Sequence, residues 1–300
     1  SHLRMKNPRI SHDFERQVID NITYCWVKAG RYEKNGVRRA LTMFRFVGKL
    51  WLKAGKTAKL WKPDVVITSS TYPLDTYAGQ RIAGKCRAKL IHEVHDMWPI
   101  TPVEINGMSK HHPFIMALQL AENSFCRKSD KVVSLLPNTK AYFMAHGMEE
   151  KKFVWVPNGI AADEWEKKED LPEKTRALIE HMRNEHEFLL CFFGSHTKSY
   201  ALEYLIEAAG ALDYRKIGVV LVGDGSDKKR LAEKSSRYRN IYFSDPVPKR
   251  CIPSLLEAVD GIYVGAVNNR MFRFGICMNK LFDSMMSGKP ILYAVNAPNN

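Results

Sequence analysis

The stretch Phe274-Gly-Ile-Cys-Met-Asn-Lys-Leu-Phe-Asp-Ser-Met-Met-Ser-Gly-Lys-Pro290 sets the reading of this chain. A short glycine-bearing loop runs into a helix carrying Lys280 and Asp283, and the helix stops at Gly288-Lys289-Pro290 before an apolar strand. A loop feeding a helix N-terminus offers unpaired backbone N–H groups and the positive end of the helix dipole, which suits an anion. Lys280 adds a point charge. Asp283, one turn on along the same face, can accept from a ligand hydroxyl. Taken alone, the stretch is equally well an ordinary loop–helix–strand crossover with two solvated charges.

The flanking sequence repeats the same alternation. Upstream, strands are predicted over 188–193, 218–222, 241–243, 261–264 and 290–295, with helices near 200–211, 227–237, 249–258 and 279–287. Each strand is a short β-rich run closed by Gly, Asp or Pro, as expected of parallel strands buried on both faces. The first half alternates likewise, with strands over 63–70, 90–96, 131–136 and 153–156 and helices over 75–87 and 113–128. The charged segment from about 160 to 187 reads as linker plus a helix. The expected architecture is α/β, with two Rossmann-like doubly wound domains, 1–158 and 159–300, joined near Asn158-Gly159 and facing a central cleft.

Three hundred residues agree with two such domains, and 45% hydrophobic with 26% charged content is that of a globular chain. No apolar run approaches the ~20 residues of a membrane span, and no signal peptide opens the sequence. The expected location is therefore cytoplasmic. The six cysteines, at 25, 86, 126, 191, 251 and 277, form no C-x-x-C pair and no zinc spacing, and read as buried reduced thiols. No metal is expected.

Of the net charge of +14, thirteen units fall within residues 1–160. That asymmetry points to an anionic partner for the first half: nucleic acid, anionic lipid or a phosphorylated acceptor. Residues 36–62 have helical spacing, with Leu41, Phe44, Val47, Trp51 and Ala58 apolar and Arg/Lys interleaved. Such a helix packs its apolar stripe on the first sheet, or presents a basic aromatic face to an anionic membrane as a peripheral protein on its inner face.

Individual motifs are weaker. Phe192-Phe-Gly194-Ser195 follows a strand and opens a helix, so its amides can face a phosphate, although it is neither a G-x-G-x-x-G fingerprint nor a Walker loop. Val222-Gly223-Asp-Gly225 makes a tight turn on which a base or ribose can lie flat. In Glu93-Val-His95-Asp96-Met-Trp98-Pro99, His92 and His95 are an odd number of residues apart, so on a strand they point to opposite faces and do not share a metal. His111-His112 reads as a loop.

In this order and spacing, Pro63-Asp-Val-Val-Ile-Thr-Ser69-Ser70, Glu93 to Pro99, Val156-Pro-Asn-Gly-Ile160, Val222 to Gly225 and Asn279-Lys-Leu-Phe-Asp283 with Gly288-Lys-Pro290 resemble the retaining glycosyltransferases of family 4, and within them the bacterial surface-polysaccharide subgroup of WbuB type. The resemblance spans nearly the whole chain. It implies a B-type two-Rossmann fold and retaining transfer from a nucleotide-diphosphate sugar, with uridine the expected base, to a lipid-linked or polysaccharide acceptor of O-antigen or capsule synthesis.

It also implies residue roles. His95, Lys280 and Asp283 are the catalytic candidates; His95 contacts the transferred sugar and Asp283 bonds the ribose. Gly194, Ser195, Gly223, Gly225, Val247 and Asn279 join them on the donor side, and Ser69, Ser70, Asp96 and Trp98 lie on the acceptor side.

The chain departs from the family where the usual Arg and Lys of the diphosphate clamp are Ser195 and Tyr200, and where the first of two paired acids is absent from Phe272-Arg-Phe-Gly275. The cationic role is therefore expected of Lys280, with Arg273 and Lys198 as lesser candidates. No cofactor or divalent ion is expected, because backbone amides and Lys280 supply the charge. The family's opening strand and closing helix are not found within 1–300, so a fragment is expected. The alternatives are a sugar-nucleotide epimerase or a phosphorylase on the same fold and a non-catalytic nucleotide- or polyanion-binding fragment; a nucleic-acid partner is not expected, since no reading motif is present.

Overall fold

The computed structural model describes residues 10–32, 36–213 and 215–298. The chain divides into two compact units, Ser1–Val156 and Pro157–Asn300.

The first unit opens with an element that the sequence reading did not assign. Strands β1 (Phe14–Ile19) and β2 (Ile22–Val27) form an antiparallel hairpin. Its turn residues Asp20 and Asn21 both take positive φ, 49° and 62°, the pattern that matches the right-handed twist of a two-residue hairpin. Lys49 fastens the base, donating to Asp13 and to the Lys28 carbonyl at 2.7 Å each.

Helix α1 (Val37–Trp61) follows, and stops where Lys62 turns left-handed before Pro63. Its buried face is Thr42, Met43, Val47, Ala54 and Ala58. This corrects the expected stripe: Leu41, Phe44 and Trp51 remain 45%, 43% and 42% exposed. Phe44 and Trp51 instead meet the edge of Phe114 and the Arg81 guanidinium. The helix packs on α2 (Thr76–Cys86) rather than on the sheet.

The sheet of this unit is β3 (Val65–Ser70), β4 (Lys89–Val94), β5 (Lys131–Ser134) and β6 (Phe153–Trp155), parallel and adjacent in chain order. Helices α3 (Ile100–Glu104), α4 (Pro113–Lys128) and α5 (Lys140–Ala145) complete the unit. His112, expected in a loop, caps α4 by accepting from the Phe114 N–H. The register sets Ser69 beside Glu93 and Ser70 beside Val94, so the loops after β3 and β4 leave the sheet together.

The second unit contains α6 (Ala162–Glu166), α7 (Glu173–Glu185), β7 (Phe188–Phe193), α8 (Leu202–Gly210), β8 (Ile217–Val222), α9 (Lys228–Ser235), β9 (Ile241–Ser244), α10 (Ile252–Glu257), β10 (Gly261–Gly265), α11 (Asn279–Met286) and β11 (Ile291–Ala294). Its five parallel strands lie in the order β11-β10-β7-β8-β9. Strand β7 is buried on both faces: Leu189, Cys191 and Phe193 point into one core, Leu190 and Phe192 into the other. The winding reverses at β7, with β8 on one side and β10 on the other. In such sheets the crevice at the strands' carboxyl ends beside the reversal is where ligands bind. Gly194 stands at that point.

Candidate active site

Two residue groups gather at strand ends, one in each unit. In the second unit, Gly194 leaves β7 with φ +134° and donates its N–H to the Val222 carbonyl at 2.9 Å. Gly223 leaves β8 against it, so closely that a Cβ there would lie 1.9 Å from the Gly194 oxygen. A Cβ on Gly225 would lie 2.3 Å from the His196 oxygen. The His196 N–H donates to the Asp224 carbonyl, and the Asp227 N–H to the His196 carbonyl. The glycines expected to make room for a nucleotide thus also let the two loops lie backbone against backbone.

Lys280 sits in the first turn of α11 and is 9% exposed. Its side chain runs to Gly194: a Cβ on that glycine would lie 2.8 Å from Nζ. The amine stands 3.5 Å from the centre of the Tyr200 ring and 4.0 Å from that of Phe192, without a hydrogen-bond partner. Burial pulls the amine down to about 7, opposed by Cys191. A cation in the first turn of a helix also opposes the helix dipole, and the two ring faces compensate only in part. An anion placed at Gly194 would supply what the amine lacks.

Lys280 is therefore not the solvated charge of the plain crossover reading. Asp283, half-buried on the same helix, has its carboxyl pushed up by burial, with Lys249 pulling the other way. Asn279 accepts from Asn158 Nδ2 at 2.7 Å, and the Asn158 N–H meets Cys277 Sγ at 3.1 Å. The expected joint residue Asn158 is thereby tied to the loop that opens α11. Val247 packs at the margin of the core beneath β7. Arg273 stacks on Phe274 and Lys198 is exposed.

His196 escaped the sequence reading. It is fully buried, neither ring nitrogen has a partner, and burial pulls the ring down to about 4. Its ring lies against Phe192 and against the edge of Phe243, 47 residues away, and no local pattern signals the second contact.

In the first unit, His95 follows β4 and its Nε2 lies 2.7 Å from Ser69 Oγ, at the end of β3. Glu93 Oε1 stands 3.6 Å from the same nitrogen. Burial raises the carboxyl of Asp96, opposed by His95 and Arg39. Trp98 meets the edge of Phe114 and lies under the Arg39 guanidinium. Ser70 turns inward, donating to the Tyr72 carbonyl at 2.7 Å, so its hydroxyl serves its own loop rather than an acceptor.

His92 is separate: 2% exposed, bonded to Thr68 through Nδ1 at 2.6 Å, stacked on Phe125, and pulled by burial down to about 3. Among the described residues no three His, Cys, Asp or Glu side chains group as a metal site. The cysteines are unpaired, but only Cys126, Cys191 and Cys251 are buried as expected; Cys86 and Cys277 are half-buried and Cys25 is exposed. No helix among the described residues is long and apolar enough to cross a membrane.

Residues 11–164 match Glycosyltransferase Family 4. No curated protein matches the chain in sequence. Among solved structures, it is similar to Anabaena HepE in complex with UDP and glucose, at 15% identity and TM-score 0.57 over 88% of this chain and 76% of that one. Sucrose-phosphate synthase from Thermosynechococcus elongatus is similar at 13% identity and TM-score 0.66, covering 97% and 73%. A trehalose-6-phosphate protein of E. coli bound with UDP-2-fluoro glucose is similar at 13% identity and TM-score 0.64, covering 97% and 76%. These likenesses agree with the fold of two Rossmann-like units.

Proposed function

The chain belongs to glycosyltransferase family 4, and we propose that it moves a sugar from a nucleotide-diphosphate sugar, with uridine as the base, to a hydroxyl of a lipid-linked or polysaccharide acceptor. The transfer retains the anomeric configuration and serves surface-polysaccharide synthesis of the WbuB type. UDP or a UDP-sugar in the structures of HepE and the E. coli protein supports the choice of donor.

One observation carries the reading: a buried lysine amine without a hydrogen-bond partner, held between two rings against Gly194 where the second sheet reverses. The leaving diphosphate gains negative charge as the glycosidic bond breaks. Lys280 and the loop amides neutralise it, a preorganised stabilisation typically worth a few kcal/mol per donor. Ser195 and Tyr200 leave this task to Lys280. Asp283 bonds the ribose, and Gly223, Gly225 and Val247 line the nucleotide site.

On this reading the donor phosphate takes the acceptor proton on the face of departure, and His95 positions the sugar. No divalent ion is required. The basic first unit receives the acceptor: α1 carries seven Arg or Lys and no acid, with Val37 and Leu52 86% and 74% exposed, as suits a helix resting on anionic lipid.

Titration calorimetry with UDP and a panel of nucleotide sugars tests the donor site. Binding is expected in the native protein, with a loss of about 10²-fold in turnover for Lys280→Ala. No affinity for any of these ligands would sink the proposal. Abolition of transfer by EDTA would remove the metal-independent step.

A further inference from the structure

The ring of His95 is held through one nitrogen only. Among the described residues, its polar contacts within hydrogen-bond or ion-pair range are Ser69 Oγ at 2.7 Å and Glu93 Oε1 at 3.6 Å, and both lie at Nε2. The side chain is 46% exposed, so packing does not fix the ring, and Nδ1 has no partner among those contacts.

A hydroxyl does not choose a tautomer, since it donates to a bare nitrogen or accepts from an N–H. A carboxylate does choose. Glu93 is acceptor-only, and a bare Nε2 would turn a lone pair toward its negative charge, whereas an Nε2–H donates to Ser69 Oγ and turns its positive edge toward the Glu93 carboxylate, which at 3.6 Å acts through charge rather than a hydrogen bond. Strand register brings the two partners together, because Ser69 and Glu93 are direct neighbours across β3 and β4, and His95 follows in the bend just after β4.

From this geometry we infer that Ser69 and Glu93 are positioning residues that hold neutral His95 with its proton on Nε2, leaving Nδ1 as a bare acceptor for a substrate hydroxyl. The second half of this statement rests on the glycosyl-transfer reading; the first half does not. His95 then orients the sugar by accepting from one of its hydroxyls, and donates nothing to it. An analogue in which that hydroxyl is replaced by hydrogen loses the contact.

The test is histidine-selective nitrogen NMR on the full chain, in which bare and protonated ring nitrogens have well-separated shifts. Neutral His95 is expected as the Nε2–H form. Glu93→Gln and Ser69→Ala are each expected to mix the tautomers and to lower kcat/KM by about tenfold, the scale of one lost hydrogen bond. Ser69→Thr keeps the hydroxyl and should restore both readouts, which separates positioning from damage to the fold. An Nδ1–H form in the native chain overturns the inference, as does an Nε2–H form indifferent to both substitutions. Failure of the donor titration alongside a confirmed tautomer would reject the transferase reading and leave the ring assignment standing.

Discussion

The amine of Lys280 and the α-carbon of Gly194 leave no room for a methyl group between them: a Cβ on Gly194 would stand 2.8 Å from Nζ and 3.4 Å from Cε. The obstacle is the tip of a flexible side chain, so Gly194→Ala can be accommodated by displacing the amine. The fold would lose about 1–3 kcal/mol, from the strain of φ +134° in a residue with a Cβ. The displaced amine no longer meets an anion, and nucleotide affinity should fall at least about tenfold. Melting curves and calorimetry on the same preparation check this; a stable variant with unchanged affinity would separate Lys280 from the nucleotide.

Gly223→Ala should cost the fold more. Its Cβ would press on a backbone oxygen at 1.9 Å, which cannot swing aside. The β7 and β8 loops would have to part, at a cost of roughly 3 kcal/mol or more. Gly288 provides the control, since its φ is +68° but nothing lies within 4 Å of a Cβ there, and Gly288→Ala should cost about 1 kcal/mol. Chemical denaturation should rank the two variants in that order.

Lys280 makes stability depend on pH in a defined direction. Its amine falls from 10.5 to about 7 in the folded chain, so between those values the unfolded state binds the extra proton. Stability therefore rises as pH rises from about 7 to 10.5, up to a ceiling of about 4–5 kcal/mol. Below pH 7 both states are charged and the full burial cost is present. Lys280→Met should flatten this window when native and variant denaturation midpoints are compared at pH 7, 8.5 and 10. Parallel curves would show that the amine is not the source.

Much of this was legible because parallel α/β units write each strand as a short apolar run. The range expected for the helix at 113–128 is the range observed. What stayed hidden depends on partners distant in sequence. Ser69 and His95 meet only through strand register. Lys280 marked a helix start, but its burial comes from Phe192 and Tyr200, some eighty residues earlier. The buried face of α1 is not legible locally, because spacing alone does not say which of two apolar stripes finds a neighbour: Met43 and Val47 meet the core beside Leu74 and Ile115, while Leu41 does not. The hairpin at 14–27 has a local signal, the turn formers Asp20 and Asn21 between β-rich runs.

A second pH response originates at Glu122. It is 1% exposed and accepts from Tyr142 at 2.9 Å and Gln119 at 2.7 Å, yet burial raises its carboxyl from 4.5 to about 7. A folded value above the unfolded one means stability is fullest below pH 4.5 and is lost as pH rises through 7. That loss amounts to at most about 3 kcal/mol. Glu122→Gln keeps an oxygen for both donors and carries no charge. It should stabilise the protein at pH 8 by about 1–3 kcal/mol and leave stability at pH 4.5 nearly unchanged. A destabilised variant at pH 8 would show that the anion is needed.

The membrane attachment proposed for α1 divides into an apolar and an electrostatic part. Val37 and Leu52 are largely exposed, so Leu52→Glu should leave the melting point near its native value. The same change should release the protein from vesicles containing phosphatidylserine, because it removes a buried side chain worth about 1.5–3 kcal/mol and adds a repelled charge. Arg45→Gln and Lys56→Gln remove exposed charges without adding a repelling one. Each should weaken binding about fivefold, at about 1 kcal/mol per basic residue near an anionic surface. Their effects should fade as salt rises, since screening acts on the charges and not on Leu52. Flotation at low and high salt distinguishes the two contributions. Equal binding to neutral and anionic vesicles would leave the basic charge of the first unit to a soluble phosphorylated acceptor instead.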